Sequence, residues 1–417
     1  MSTYGYYRFA AASPQVRVAD VEFNVTAMVK AAREAAGKGA QVVLFPELGI
    51  TGCSCADWFV QPALLLAARK GLGRFVAETS RLKSVCIVSL PLVVQDALYI
   101  MAAVVKDGHV LGLVPKSVLP NYREFYEKRQ FCAAAQLPVK SIELPGCGEV
   151  PVGTDLLFAD DDELSFGVEI GADLWSVIPP SSNLALQGAR VIFNPCACDE
   201  LAGGAAYRRL LVAQQSARCV AAYVLAGAGV GESSQDVVYG GHCLIADNGR
   251  MAAESKRFSR DTEIIYADVD LTRLAAARMS ESTFHDSRAL AAESPVRRVM
   301  VGSVASSSDL AYAYIPPRPF VPAPGESATR CEEILNIQAC GLVKRMEHSR
   351  ARSMVLGVSG GLDSSLALLV CERACKMMGI PTSSILAVTM PGFGTTGRTY
   401  NNAVALIRHI GADFREI

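Results

Sequence analysis

The chain has no run near the roughly 20 consecutive apolar residues that a bilayer-spanning helix needs. Its most apolar segment, residues 219–231, is too short and too rich in glycine and alanine for that role. The N-terminal residues also lack the basic and then apolar profile of a signal peptide. These absences argue against a membrane-spanning or secreted protein and predict a cytoplasmic one without a membrane partner.

An excess of either charge is also missing, because 40 lysines and arginines stand against 41 acidic residues. This balance argues against general attraction to nucleic acid or to anionic membranes, so no nucleic-acid partner is predicted.

Histidine is scarce, and the close cysteine pairs, Cys53/Cys55 and Cys196/Cys198, have CxC rather than CxxC spacing. A structural zinc site is therefore not expected. Thirteen cysteines without a signal peptide indicate free thiols in a reducing cytosol.

The most informative segment is VLGVSGGLDSS at 355–365, where an apolar strand breaks into a Gly/Ser loop that opens a helix. Glycines let the backbone approach a ligand, and a helix N-terminus offers unpaired N–H groups to an anion. No lysine follows the glycines, which excludes the GxxxxGK[ST] loop. The segment is typical of a pyrophosphate loop that splits ATP into AMP and PPi, and an ordinary Gly-rich turn is the alternative. The predicted ATP-binding residues are Gly357, Ser359, Gly360, Gly361, Asp363, Ser364 and Ser365, with Asp363 also holding Mg²⁺.

Alternating strand and helix patterns predict a layered α/β domain at residues 1–300. Five prolines in the eleven residues 315–325 indicate a linker, placed at 301–326. Residues 327–417 begin with a helix at 327–349 and continue as the start of a doubly wound parallel sheet. The last residues enter a third strand, so the chain is expected to be a fragment of a longer protein.

Charged residues follow several predicted strands of the first domain. Glu47 follows one strand, Lys116 ends another, and the segment 167–175 ends a third. Each residue alone is more typical of a surface or capping group. Their order and flanking sequences together resemble the nitrilase (carbon–nitrogen hydrolase) superfamily, whose Glu–Lys–Cys triad lies at strand ends. The resemblance implies a four-layer α/β/β/α sandwich in which a cysteine thiolate attacks an amide.

Segments of both domains together resemble the glutamine-dependent NAD⁺ synthetase family. They are FPELGITGCSCADWF (45–59), VPKSVLPNYREFYEKRQF (114–131), residues 207–249, GVSGGLDSS (357–365) and TMPGFGTTGRTYNNA (389–403). The resemblance implies a glutaminase that makes ammonia and a synthetase that amidates deamido-NAD⁺ with ATP and Mg²⁺. The implied substrates are deamido-NAD⁺ and glutamine or ammonia, and a homo-oligomer is expected. The isolated chain is expected to bind ATP or pyrophosphate weakly at best and to make no NAD⁺.

The resemblance also assigns residues by position. Glu47 would be the general base and Lys116 the lysine that stabilises the oxyanion, while Tyr122 and Glu127 would contact glutamine and support the triad. Gly171 stands where the family has its cysteine nucleophile. Because glycine cannot form an acyl-enzyme, the glutaminase is expected not to work by the usual route.

Two further positions depart from the family pattern. Cys198 stands where the family tends to have a serine that helps bind glutamine. A thiol in the glutamine pocket is the favoured interpretation, and a relocated nucleophile at Cys198 is the alternative. Gly397 replaces an aspartate of the relatives, which removes a carboxylate from the expected synthetase site.

Three functions remain to be compared. The first is an NAD⁺ synthetase that depends on ammonia or weakly on glutamine. The second is a non-catalytic nitrilase-like scaffold for oligomerisation or regulation. The third, an asparagine or GMP synthetase, is disfavoured because those enzymes carry other amidotransferase domains. The enzyme predicts that Glu47 and Lys116 lie within about 4 Å of each other, with Gly171 facing them.

Overall fold

The computed structural model describes residues 5–290, 295–304, 309–322, 325–392 and 396–417. The chain divides into two compact units, Met1–Tyr314 and Ile315–Ile417. The domain bounds expected from sequence (1–300, 301–326 and 327–417) stay a prediction. Parts of them lie outside the described residues, as do residues 393–395 of the segment 389–403.

The first unit alternates strands with helices. Its strands are β1 (Tyr6–Ser13), β2 (Val42–Leu44), β3 (Val85–Val94), β4 (Ala97–Lys106), β5 (His109–Pro115), β6 (Ser141–Leu144), β7 (Gly148–Pro151), β8 (Leu156–Ala159), β9 (Ser165–Val168), β10 (Val191–Cys196), β11 (Ala222–Gly227), β12 (Leu244–Asp247), β13 (Arg250–Glu254), β14 (Glu263–Asp270) and β15 (Arg297–Met300). Its helices are α1 (Val21–Gly37), α2 (Pro62–Thr79), α3 (Pro180–Leu186), α4 (Gly204–Arg218), α5 (Leu271–Ser280) and α6 (Ser282–Leu290).

Two sheets face each other in this unit. One has the strand order β14-β1-β2-β3-β4-β5, the other has the order β13-β12-β11-β10-β9-β8-β15, and β6 pairs with β7 separately. The core between them includes Phe9 of the first sheet and Phe193 of the second, with ring centroids 5.6 Å apart. Helices α1 and α2 pack against the first sheet, and α3 and α4 pack against the second. The predicted α/β/β/α sandwich is confirmed.

Local sequence explains how these elements begin and turn. Asp20 caps α1 by accepting a hydrogen bond from the Phe23 N–H at 3.1 Å, as short acidic residues do at helix N-termini. Asn248 and Gly249 both take positive φ in the tight turn between β12 and β13, as the sequence predicts. Within the sheets, β1, β2 and β3 run parallel, and so do β9, β10 and β11. Polar residues that follow β2 and β9 therefore lie at strand carboxyl ends, where α/β folds place their sites.

The second unit is a small parallel α/β structure. It contains α7 (Ser327–Ser349), β16 (Met354–Gly357), α8 (Leu362–Met378), β17 (Ile385–Thr389), α9 (Gly397–Ile410) and β18 (Asp413–Glu416). The three strands pair in parallel in the order β16-β17-β18, which confirms the parallel sheet and its third strand. Helix α8 begins at Leu362, directly after the Gly/Ser loop, because Gly361 is its N-cap. No helix among the described residues is both long and apolar enough to cross a lipid bilayer.

Candidate functional site

A buried lysine lies between two carboxylates in the first unit. Lys116 Nζ donates to Glu47 Oε1 at 2.6 Å and to Glu127 Oε1 at 2.8 Å. The side chains of Lys116 and Glu47 are each only 2% exposed. The predicted approach of Glu47 to Lys116 is confirmed, and we call these three residues the Lys116 cluster.

The charges of the Lys116 cluster follow from its burial. Desolvation lowers the pKa of Lys116, but Glu127 and Glu47 outweigh it and raise that pKa above its ordinary value. Desolvation raises the pKa of Glu127 to about 7, and Lys116 opposes this rise. Among the described residues, Glu127 Oε2 is buried without a hydrogen-bond partner. The cluster therefore combines a permanent cation with an acceptor that a ligand N–H can use.

Gly171 lies directly against this cluster. It follows β9 and begins a 3-10 turn, Gly171–Trp175, with φ of +49°, a conformation that favours glycine. A β-carbon built at this position would overlap Glu47 Oε2 and would lie 3.3 Å from Lys116 Nζ. Gly171 thus faces Glu47 and Lys116 as predicted. The end of the Glu47 side chain occupies the space that a side chain at 171 would need.

Asp173 ties the turn after β9 to the segment after Lys116. Its carboxylate accepts from the N–H groups of Ile170 at 2.9 Å, Val118 at 2.7 Å and Ser117 at 3.0 Å. Burial raises the pKa of Asp173 to about 6, and the hydrogen bonds from these N–H groups oppose that rise. Two chain segments that are far apart in sequence are therefore held at fixed positions around one site.

A second buried network holds the backbone of Gly171. Its N–H donates to Asn194 Oδ1 at 2.7 Å, and Asn194 Nδ2 donates to the Tyr223 hydroxyl at 2.9 Å. The Tyr223 hydroxyl donates to Glu169, which also accepts from the Ser181 N–H at 2.7 Å. Every member is buried, so this chain of hydrogen bonds fixes where residue 171 points.

A pocket adjoins the Lys116 cluster, and we call it the Lys116 pocket. Its walls include Lys116, Glu127, Tyr122, Ala172, Cys198 and Arg208. Tyr122 is 56% exposed, whereas Cys198 is partly buried. The structure thus brings together the residues that the resemblance assigns to glutamine and to the triad. Their roles stay predictions.

The Gly/Ser loop of the second unit has a defined shape. Gly360 has φ of +82°, and a β-carbon there would overlap the carbonyl oxygen of Thr399, so only glycine fits. Ser364 Oγ accepts from the Ser359 N–H at 3.2 Å, and the Gly361 N–H points to Ser359 Oγ at 3.4 Å. The loop therefore presents serine hydroxyls and the first N–H groups of α8 at one place, which is the chemistry of an anion site.

The remaining predicted residues of this unit lie around that loop. Gly357 ends β16, and Ser365 lies in the first turn of α8, where its N–H donates to the Gly361 carbonyl at 3.1 Å. Asp363 is exposed in the same turn, where an acidic side chain also stabilises the helix dipole. Within the described part of the chain, no group of three or more His, Cys, Asp or Glu could hold a metal ion. Mg²⁺ at Asp363 would therefore need phosphate oxygens as further ligands.

Known families match both units. The carbon–nitrogen hydrolase family model matches residues 8–279, which is more than half of the chain. The chain belongs to the carbon–nitrogen hydrolase family. The NAD synthase family model matches residues 334–417.

Individual relatives agree with these matches. The glutamine-dependent NAD(+) synthetase of Mycobacterium bovis is 40% identical over 420 residues, covering 99% of this chain and 62% of that protein. The chain thus spans less than two thirds of the length of such relatives. The crystal structure of a glutamine-dependent NAD(+) synthetase from Cytophaga hutchinsonii superposes with a TM-score of 0.57 at 22% identity, covering 99% of this chain and 65% of that one. An amidase of Nesterenkonia AN1 from the nitrilase superfamily superposes at 0.51 with 18% identity, covering 68% of this chain and 97% of that one. These superpositions support the fold.

Sequence reasoning did not identify two polar residues at this site, Asn194 and Arg208. Asn194 was visible as a polar residue inside the apolar strand VIFNPC, but its partner Gly171 lies 23 residues away. Arg208 shares the buried face of α4 with Val212 and Gln215, so the helical spacing of these residues indicated that Arg208 would be buried. A polar residue on a buried face indicates a partner without identifying it.

The buried Glu169 makes stability depend on pH. Burial raises its pKa from 4.5 to about 7 in the folded protein. The stabilisation is fully present below the unfolded pKa and is lost as pH rises through the folded pKa. At about 1.4 kcal/mol per pKa unit, the free energy of unfolding should fall by up to roughly 3 kcal/mol between about pH 4.5 and 7.

Urea unfolding across this pH range measures the effect, with Glu169→Gln as the control variant. The amide stays neutral at every pH, so the variant should show a smaller fall than the unmodified chain. Asp173 and Glu127 contribute in the same direction and remain in both proteins. Equal slopes in the two proteins would contradict the assignment to Glu169.

Proposed function

We propose that this chain supplies the glutaminase unit and the ATP loop of a glutamine-dependent NAD⁺ synthetase, which amidates deamido-NAD⁺ to NAD⁺ and releases AMP and PPi from ATP. The carrying observation is the buried Lys116 cluster beside Gly171 in a chain that also contains the SGGLDSS loop. The relative from Mycobacterium bovis carries that name and aligns with both units. The proposed partners are deamido-NAD⁺, glutamine or ammonia, and further copies of the chain.

The geometry supports a chemical task for each group of the Lys116 cluster. The charged Lys116 ammonium lies 3.3 Å from the β-carbon position of residue 171, so it can stabilise an oxyanion that forms there. Glu47 is in contact with the same position and can accept a proton. The unpaired Glu127 Oε2 can accept an N–H of a bound carboxamide, with Tyr122 and Cys198 in the pocket walls. Only the nucleophile is missing, so glutamine should bind but be cleaved very slowly.

In the second unit, the Gly/Ser loop would hold the pyrophosphate part of ATP. The first N–H groups of α8 and the hydroxyls of Ser359 and Ser364 would donate to phosphate oxygens, and Asp363 would hold Mg²⁺ beside them. When bound, ATP with Mg²⁺ would supply the adenylyl group that makes the carboxylate of deamido-NAD⁺ reactive toward ammonia, with AMP as the eventual leaving group.

A non-catalytic scaffold is the less favoured alternative. Lys116, Glu47 and Glu127 keep a buried ionic arrangement that costs desolvation energy and that a packing role does not need. A scaffold of long standing would be expected to replace it with apolar side chains. The retained cluster therefore favours an enzyme whose glutaminase half is impaired at one position.

The test is NAD⁺ formation by the product of the full reading frame, with ammonia or glutamine as the nitrogen source. Ammonia should support synthesis, whereas glutamine should support little. If neither ammonia nor glutamine supports NAD⁺ synthesis, the proposed function is contradicted. Rapid use of glutamine that is abolished by Cys198→Ala would instead identify Cys198 as a relocated nucleophile.

The loop itself can be tested separately. Asp363→Ala should weaken the binding of magnesium pyrophosphate to the chain by at least tenfold, because the carboxylate that bridges metal and phosphate is lost. Calorimetric titration measures this, and Asp413→Ala, at an exposed position on β18, is the matched control. Equal binding by both variants and the unmodified chain would mean that the loop is only a structural turn.

A further inference from the structure

Two thiols meet at the wall of the Lys116 pocket. Cys196 Sγ and Cys198 Sγ are 2.8 Å apart. A disulfide bond is about 2.05 Å long, so the two sulfurs must approach each other by roughly 0.8 Å to form one. Cys196 is fully buried at the end of β10, whereas Cys198 is partly exposed in the pocket wall. A solvent-borne oxidant can therefore reach Cys198 first, and Cys196 lies behind it.

Arg208 provides a fixed positive charge beside this pair. Its Nη1 contacts Glu200 at 3.1 Å and His242 Nδ1 at 2.9 Å. Among the described residues, its Nε is buried without a hydrogen-bond partner. Burial lowers the pKa of Arg208, but its neighbours Cys198, Cys196 and Glu200 together outweigh it and raise that pKa. Arg208 and Cys198 line the same pocket, so the guanidinium places a positive charge on the side from which Cys198 is reached.

We propose that Cys196 and Cys198 form a reversible disulfide that alters the Lys116 pocket. The oxidant is a hydroperoxide. The Cys198 sulfur attacks one peroxide oxygen, the O–O bond breaks, and the products are a sulfenic acid at Cys198 and an alcohol or water. The Cys196 sulfur then attacks the Cys198 sulfur, the S–O bond breaks, and water leaves. The two thiols lose two electrons and two protons in total, and the peroxide is reduced.

The disulfide would change the pocket because Cys198 forms part of its wall. Oxidation removes the Cys198 S–H donor and locks the side chain against the end of β10. A bound carboxamide would then lose a polar contact, so glutamine should bind more weakly to the oxidised chain. This consequence rests on the proposed function, because only that function places glutamine in the pocket. Formation of the disulfide does not depend on that function.

The chain contains its own control, a second CxC pair with a different environment. Cys55 Sγ points to the carbonyl oxygens of Thr51 at 3.3 Å and Gly52 at 3.5 Å. Burial raises the pKa of Cys55 to about 12 and the pKa of Cys53 well above its ordinary value. Burial also raises the pKa of Cys196 well above its ordinary value, so the two pairs differ in geometry rather than in the direction of this shift. The sulfurs of Cys196 and Cys198 are in contact, whereas Cys55 Sγ faces backbone carbonyls, so Cys53 and Cys55 should form a bridge more slowly. Because both pairs have the same CxC spacing, a difference in their reactivity with peroxide would come from their structural environments and not from their spacing in the sequence.

The experiment treats the folded chain with hydrogen peroxide, alkylates the remaining thiols in denaturant and maps the peptides by mass spectrometry. The peptide with Cys196 and Cys198 should lose two hydrogens, resist alkylation and regain both thiols with dithiothreitol. Cys53 and Cys55 should remain open to alkylation. In Cys196→Ser, the sulfenic acid at Cys198 should persist and react with dimedone. Full alkylation of Cys196 and Cys198, or equal bridging of both pairs, would overturn the proposal.

Two further measurements keep the result interpretable. Cys198→Ser, at the more exposed position, should fold and fail to form the bridge even if Cys196→Ser does not fold. Calorimetric titration with glutamine should show at least tenfold weaker binding to the oxidised chain than to the reduced one. If the disulfide forms but neither the oxidised nor the reduced chain binds glutamine, the result counts against the proposed function while the disulfide stays established.

Discussion

Replacing Gly171 with cysteine is expected to raise glutamine hydrolysis by several orders of magnitude. The substitution adds the one group that the site lacks, a nucleophile, beside Glu47 as a base and Lys116 as the cation for the oxyanion. In a serine hydrolase, loss of the nucleophile lowers the turnover by a factor on the order of 10⁶. A rise in glutamine turnover by a similar factor is expected here. Ammonia release from glutamine measures it directly.

The structure also predicts what this variant costs. Residue 171 has φ of +49°, and the end of the Glu47 side chain must move to admit a β-carbon. A left-handed conformation costs a non-glycine residue about 1–2 kcal/mol, so the variant should be less stable by that amount. Gly171→Ala is the matched control, because it carries the same strain without a thiol. It should lose the same stability and gain no activity. A folded Gly171→Cys that binds glutamine without cleaving it would contradict the assigned roles of Glu47 and Lys116.

Lys116→Met is expected to lower the free energy of unfolding by about 3–5 kcal/mol, because it leaves two buried carboxylates without their shared cation. The pKa of Glu127 is already raised to about 7, and Lys116 is the main group that holds it down. Without the lysine, that pKa should rise further. The loss of stability should therefore be larger at pH 8 than at pH 5, where Glu127 can take up a proton.

Chemical denaturation at the two pH values measures this effect. The rescue variant Lys116→Met with Glu47→Gln and Glu127→Gln removes both charges as well as the lysine. It should recover most of the stability and lose the part of the pH dependence that comes from Glu127. A loss below about 1 kcal/mol in Lys116→Met would be typical of a solvent-exposed ion pair and would contradict the buried cluster.

Much of this architecture was readable from short stretches of sequence. Helix 327–349 and the strand before SGGLDSS follow from local periodicity and from glycine, whose effects act within a few residues. Glu47 and Lys116 were visible as charges after apolar strands, but only the resemblance to the nitrilase superfamily assigned them to a site. The exact start of α8 needed the structure, since a glycine such as Gly361 can serve either as a loop residue or as an N-cap.

The sequence by itself determined the alternation of strands and helices, the residue types of the Lys116 cluster and the absence of a thiol at 171. Only the tertiary structure decided which of these groups meet. Asn194 holds Gly171 across 23 residues and Asp173 holds Val118 across 55, because paired sheets bring distant strand ends together. The two CxC pairs show the limit most clearly. They share one spacing, but Cys196 and Cys198 lie in contact while Cys55 turns to backbone carbonyls. Side-chain direction depends on the backbone path and on packing, which spacing alone does not encode.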